Sequence, residues 1–145
     1  MWYSLGLTRT FSAKALILVG IAAAAPAATV TIEKPRAVTV TGGGCRMPSD
    51  GFFSGQWGPE KLPTLALTIG PGPMTDTMHA NPAKYTGPGK YPNEIIAVYL
   101  GKTALEDSYG GLGTVVIAAD GHSGTFVLND GKASGRFDCG TVPAR

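Results

Sequence analysis

Residue types that commonly carry out chemistry are scarce in this sequence. The 145-residue chain has two cysteines and two histidines, whereas a zinc site normally needs several Cys, His or carboxylate ligands at short spacing. The G-x-S-x-G pattern of many serine hydrolases is absent, and no glycine-rich segment leads into a helix as a phosphate-binding loop would. Heptads, sequence repeats and amphipathic helices of useful length are also missing. We therefore expect no catalytic residues and no cofactor, and we do not expect an enzyme.

The amino-terminal segment contains the longest apolar stretch of the chain. Two basic residues and no acid precede the apolar run at residues 15–21, and a string of alanines follows it. This order is typical of a secretory signal peptide, and the run is too short to span a bilayer comfortably. The sequence thus predicts a signal peptide at 1–27 and a single domain at 28–145, with a retained membrane anchor as the alternative.

Charge of either sign is low and balanced. The formal net charge is +2, and removal of the two basic residues of the signal peptide would bring it to about zero. A balanced chain has no general attraction for polyanions, so we expect neither nucleic acid nor a stable membrane anchor as a partner. The predicted location is secreted, or periplasmic or otherwise in the cell envelope.

The two cysteines, Cys45 and Cys139, are an even number in a chain that we expect to be exported. Oxidising compartments favour disulfide bonds. The sequence therefore predicts a Cys45–Cys139 disulfide, with two unpaired buried thiols as the alternative.

The segment at residues 113–139 predicts two β-hairpins. The Asp120-Gly121 and Asp130-Gly131 pairs each lie between runs rich in Val, Ile, Phe and Thr, which is a strong signal for tight hairpin turns. Counting outward from Asp130-Gly131 places Phe126 opposite Gly135 and Gly124 opposite Phe137. A ring lying over a cross-strand glycine covers bare backbone, so these pairs support the register.

The remaining periodic segments also alternate with the period of a strand. Residues 29–33, 38–41 and 64–69 fit this pattern, and residues 94–102, apolar on both faces, are typical of a central strand. The glycines at 42–44 indicate a bulge or a close backbone approach. The sequence therefore predicts an all-β domain, either a single antiparallel β-sandwich or a small open barrel of about seven to eight strands.

Aromatic side chains outside these strands are candidates for a binding surface. Residues 46–63 are predicted as a loop, and the proline-rich connection at residues 71–92 is unusually long for a compact domain. Exposed aromatics there could bind a protein, a glycan or a small molecule, whereas buried ones would cap the core. The candidate surface comprises Phe52, Phe53, Trp57, Tyr85 and Tyr91.

Two other functions rest on weaker patterns. Met74, Met78 and His79 are soft ligands in one short segment and, with Met47 or His122, could bind copper, although methionines in loops often only fill gaps. A small secreted hydrolase would need two facing carboxylates in one cleft. His122 beside Ser123 is not a catalytic triad without partners arranged in space.

The last part of the chain combines several motifs: a Y-x-G-P-G-x-Y segment leads to a strand, and the chain ends in a D-G turn, S-G-T-F and S-G-x-F-x-C. The residues of these motifs are Tyr85, Gly87, Pro88, Gly89, Tyr91, Gly113, Thr114, Asp120, Gly121, Ser123, Gly124, Thr125, Phe126, Ser134, Gly135, Phe137 and Cys139. The combination resembles a pattern found in small exported proteins and lipoproteins of bacteria, chiefly actinobacteria. The resemblance implies an exported β-rich domain of unknown function, although the lipidation cysteine of the lipoproteins is absent here. We therefore expect a non-catalytic cell-envelope or extracellular domain.

Overall fold

The computed structural model describes residues 27–72 and 82–141 and confirms the all-β prediction for them. Residues 1–26 of the predicted signal peptide lie outside this part of the chain. No helix within it has the length and apolar character needed to cross a membrane. The strands are β1 (Thr29–Lys34), β2 (Val38–Thr41), β3 (Gly43–Ser49), β4 (Phe52–Trp57), β5 (Leu65–Ile69), β6 (Gly89–Tyr99), β7 (Ser108–Ile117), β8 (Ser123–Leu128) and β9 (Ser134–Asp138).

The strands form one antiparallel sheet that curls into a nearly closed barrel. Its order is β2-β1-β9-β8-β7-β6-β5-β4-β3. Strands β4 to β8 each pair with the strands that precede and follow them in the chain, whereas β9 pairs with β8 and β1. The two strands at the ends of this order, β2 and β3, follow each other in the chain with only Gly42 between them. A single continuous segment therefore bridges the opening of the barrel. Of the two predicted arrangements the barrel is the one formed, with nine strands.

Backbone contacts close the barrel around Gly42. The Gly42 N–H donates to the carbonyl of Ala28 at 2.8 Å, and the Gly42 carbonyl accepts from the Gly58 N–H at 3.3 Å. Gly43 lies so close to β4 that a Cβ atom on it would be 2.0 Å from the Gln56 carbonyl oxygen. The close backbone approach expected of these glycines is therefore present. It allows the β2–β3 segment to lie beside β1 on one side and beside β4 on the other.

The predicted disulfide is also present and joins the same two sides of the barrel. Cys45 of β3 bonds to Cys139, which directly follows β9, with their Cα atoms 5.1 Å apart. Beside it, the indole N–H of Trp57 donates to the carbonyl of Asp138 at 2.9 Å. One covalent bond and one side-chain hydrogen bond thus fix β9 to the β3–β4 hairpin.

The carboxyl-terminal hairpins have the register predicted from the Asp-Gly turns. Phe126 pairs with Gly135, Gly124 pairs with Phe137, and Val115 of β7 pairs with Phe126. A Cβ atom on Gly124 would lie 2.7 Å from the Phe137 ring, so the ring covers the glycine. The apolar faces of these strands therefore point into the barrel.

One segment differs from its prediction. Residues 46–63, expected to be a loop, contain most of β3 and all of β4. The β3 sequence, GGCRMPS, holds no β-branched or aromatic residue, so its strand propensity is weak, whereas the aromatics of β4, FFSGQW, favour a strand but are separated by Ser-Gly-Gln. Pairing of β3 with β4 and of β4 with β5, with burial of alternate residues of β4, establishes both strands.

Apolar side chains fill the inside of the barrel. The Trp57 and Phe137 rings lie 4.9 Å apart near the disulfide, and Phe53, Tyr85 and Tyr91 form an aromatic row towards the β5–β6 connection. A packed interior leaves the ends and the outer surface of the barrel for binding. The buried hydrophobic residues are Ala28, Val30, Ile32, Cys45, Phe53, Trp57, Leu65, Leu67, Ile69, Tyr91, Ile96, Val98, Val115, Ile117, Phe126, Leu128, Ala133, Phe137 and Cys139.

Candidate functional site

Most of the aromatic residues predicted to form a binding surface belong to the core. Trp57 is 0% exposed, Phe53 3% and Tyr91 5%, because the first and second lie on the inward face of β4 and the third on that of β6. Phe52 is half-buried, with its ring against Gly72. These side chains hold the barrel together, and the three buried ones offer no surface to a partner.

Tyr85 is the member of this set that reaches a groove. It is half-buried and lines a shallow depression of about 430 Å³ together with Met47, Asp50 and Thr86. Tyr91 stabilises the backbone of the groove-lining residues Thr86 and Gly87, since its hydroxyl donates to the Gly87 carbonyl at 2.6 Å and accepts from the Thr86 N–H at 3.0 Å. Burial and the neighbouring Tyr91 raise the pKa of Tyr85, which keeps its hydroxyl neutral.

The copper site predicted at Met74, Met78 and His79 lies outside the described residues, so it stays a prediction. Within residues 27–72 and 82–141, no three His, Cys, Asp or Glu side chains are grouped so that they could hold a metal ion.

A polar cluster forms at the turn between β7 and β8, where the sequence places His122 beside Ser123. The His122 ring lies between two carboxylates, with Nε2 3.9 Å from Asp120 and Nδ1 3.6 Å from Asp138. The Ser123 hydroxyl donates to Asp120 at 2.6 Å, and the His122 N–H donates to the same carboxylate at 2.9 Å. These two bonds, the first being the stronger cause, lower the pKa of Asp120.

This cluster has the geometry of a turn and lacks that of a hydrolase. A serine nucleophile needs a base that accepts its proton, with a pKa near the working pH. Here the serine hydroxyl points to a carboxylate whose lowered pKa makes it a weak base. Asp120 instead accepts N–H bonds from the following residues, as aspartates in tight turns commonly do.

A cleft at one end of the barrel has better features of a binding site. Because successive strands are antiparallel, the β1–β2, β4–β5, β6–β7 and β8–β9 connections gather at this end. The cleft lies among the first three of them and has a volume of about 470 Å³, within the range of small-molecule sites. Its lining residues are Arg36, Val38, Pro59, Lys61, Leu62, Thr64, Tyr99, Leu100, Gly101 and Lys102.

Hydrogen bonds fix the walls of this cleft. Arg36, from the β1–β2 turn, pairs with Asp107 and donates to the Leu100 carbonyl at 2.9 Å. The Tyr109 hydroxyl also donates to Asp107 at 2.8 Å, and this bond, followed by the contact with Arg36, lowers the pKa of Asp107. Arg36 is therefore neutralised by a carboxylate that stays ionised, and it ties the β1–β2 turn to the β6–β7 loop.

Sequence reasoning missed this cleft. Its cations and apolar residues come from three connections that are far apart in the chain, and none of them forms a local motif. Lysine is not in excess over acid in the segments around residues 61 and 102, since Glu60, Glu106 and Asp107 lie close by in sequence, so local charge gives no signal either.

No family model, curated protein or solved structure matches this chain.

Proposed function

We propose that this chain is an exported, non-catalytic domain of the cell envelope or extracellular space that binds a ligand through the cleft at the β1–β2, β4–β5 and β6–β7 end of the barrel. The observation that carries the proposal is the cleft itself, where half-buried apolar side chains and exposed cations meet on walls fixed by the Arg36–Asp107 pair.

Two further observations support this proposal. The Cys45–Cys139 disulfide is of a kind that persists in oxidising compartments, in agreement with the signal peptide expected at 1–27. The packed interior and the turn-like role of Asp120 leave surface binding as the activity that the described residues favour.

A panel of soluble probes would test whether the cleft binds ligands. We would titrate the oxidised chain with a disaccharide, octyl glucoside, octanoate and a short acylated peptide while recording backbone amide shifts. We expect at least one probe to shift the amides of Leu62, Gly101 and Lys102 selectively, because these residues line the cleft.

Matched tryptophan substitutions supply the control. Leu62→Trp would fill the cleft and abolish the shifts, whereas Val127→Trp, on the outer face of β8 where Val127 is 43% exposed, would leave them unchanged. Shifts confined to other surfaces, or shifts that survive in Leu62→Trp, would contradict the proposal.

A further inference from the structure

The wall of the cleft is chiefly hydrocarbon. Val38, Leu62, Tyr99 and Leu100 each contribute a half-buried side chain, and a ligand that covered them would remove apolar surface from water. Burial of such surface is favourable by about 25 cal/mol for each Å². The wall therefore favours a ligand with an alkyl portion over a fully hydroxylated sugar.

Two exposed cations border this apolar wall. Lys61, in the β4–β5 connection, and Lys102, in the β6–β7 connection, both line the cleft, and neither makes an ion pair within the described part of the chain. Arg36, the third cation, is already paired with Asp107. The nearest acid in sequence to Lys61, Glu60, lines a different groove beside Gly43 and Gly44.

The cleft itself has no acidic lining residue; the nearest acids are Glu60, which precedes Lys61, and Glu106, whose side chain lies against Gly101. The two lysine ammonium groups are therefore the unpaired charges that lie next to the hydrocarbon wall.

The loop that carries Lys102 also exposes an apolar side chain. Leu105, between β6 and β7, is 95% exposed, although the loop around it is held by bonds from Glu106 N–H to Thr103 and from Leu100 N–H to Asp107. This exposed leucine lies in the same loop as the lining residue Lys102 and offers further apolar surface to a hydrocarbon chain.

We propose that the cleft binds a single amphiphile with an anionic head group and a hydrocarbon tail. Lys61 and Lys102 contact the carboxylate or phosphate of the head, and the tail lies on Val38, Leu62 and Leu100 towards Leu105. This inference rests on the proposed function, since it assigns a ligand class to the same cleft.

The test compares head groups and tails separately. The oxidised chain is titrated below the micellar range with octanoate, octyl phosphate, octyl glucoside and acetate, by calorimetry and by amide shifts. We expect octanoate and octyl phosphate to bind in the cleft, and octyl glucoside and acetate to bind at least about tenfold more weakly, because each lacks one of the two contacts.

The matched variants are two double substitutions, each of which removes two positive charges. Lys61→Ala with Lys102→Ala is expected to weaken octanoate binding by about tenfold or more, while Lys90→Ala with Lys132→Ala, which removes two exposed lysines that do not line the cleft, should have little effect. An equal loss in both double variants would overturn the assignment of the head group to Lys61 and Lys102.

The other outcomes separate this inference from the proposed function. Equal affinity for octyl glucoside and octanoate would overturn the assignment of an anionic head group, but it would be consistent with the cleft as a binding site. Sedimentation with anionic phospholipid vesicles, without binding of the monomeric probes, would replace the single ligand by a membrane surface. Absence of cleft shifts with every probe would overturn both proposals.

Discussion

Glu94 places a carboxyl group in the apolar interior of the barrel. It is 1% exposed, Oε2 accepts one bond from the Gly70 N–H at 3.2 Å, and Oε1 has no hydrogen-bond partner. The register of β6 shifts between Tyr91 and Glu94, and Asn93 has φ of 60°, so a bulge turns this side chain inwards. Burial raises the pKa of Glu94 to about 7, against the opposing effect of the Gly70 bond.

The raised pKa predicts that stability depends on pH through this residue. The folded protein keeps the Glu94 proton up to about pH 7, whereas an unfolded chain releases it near its ordinary pKa of 4.5. The contribution of the protonated group is therefore fully present below pH 4.5 and is lost as the pH rises through 7. We expect Glu94→Gln to increase the free energy of unfolding at pH 8 by about 3 kcal/mol and to change it little at pH 4.

Urea denaturation between pH 4 and pH 8 measures this effect. Glu106→Gln is the control, because Glu106 is exposed and its substitution should preserve the pH dependence of the native chain. A Glu94→Gln variant that kept the same slope of stability against pH would contradict the assignment.

Among the secondary-structure elements, the β8–β9 hairpin was predictable because the residues that determine its turn and register all lie within the hairpin. Asp130-Gly131 fixes the turn, and the Gly124 and Gly135 positions opposite phenylalanines confirm the register without long-range knowledge. By contrast, β3 and β4 depend on contacts with β5 and on the disulfide, which are distant in sequence. The cleft was unpredictable for the same reason, since Arg36, Lys61 and Lys102 meet only once the barrel has formed.

The same hairpin yields a test of packing at glycine. A Cβ atom on Gly135 would lie 2.3 Å from the Thr31 carbonyl oxygen and 3.0 Å from the Phe126 ring. Because β1 and β8 pair with β9 on both sides, the backbone cannot move away easily. We expect Gly135→Ala to lower the free energy of unfolding by about 2 to 3 kcal/mol, measured by urea denaturation.

Gly131→Ala is the comparison for this substitution. Gly131 lies in the turn with φ of 72°, and a Cβ atom there would meet nothing within 4 Å. Its cost should be about 1 kcal/mol, from backbone conformation alone. Equal costs at the two positions would show that the close approach of β1 to Gly135 does not restrict the side chain.

For the whole molecule, the disulfide closes a loop between residues separated by 94 positions. The chain-entropy model assigns about 4 to 5 kcal/mol to a loop of this length. We expect the variant with both Cys45→Ser and Cys139→Ser to lose about 4 kcal/mol of stability in thermal and denaturant unfolding.

Reduction of the native chain provides the matched measurement. A thiol reductant should bring the native chain to nearly the stability of the double serine variant and leave that variant unchanged. A reduced chain as stable as the oxidised one would mean that the hydrogen bonds around Gly42 and Trp57 close the barrel without the covalent bond.

The pairing of β1 with β9 has a consequence for the export that we propose for this chain. Thr29 lies opposite Asp138, so the first strand of the barrel obtains one of its two neighbours only from the last. A chain delivered across a membrane from its amino terminus would keep β1 unpaired on that side until β9 emerged. Folding would then be completed on the far side of the membrane, at the end of translocation.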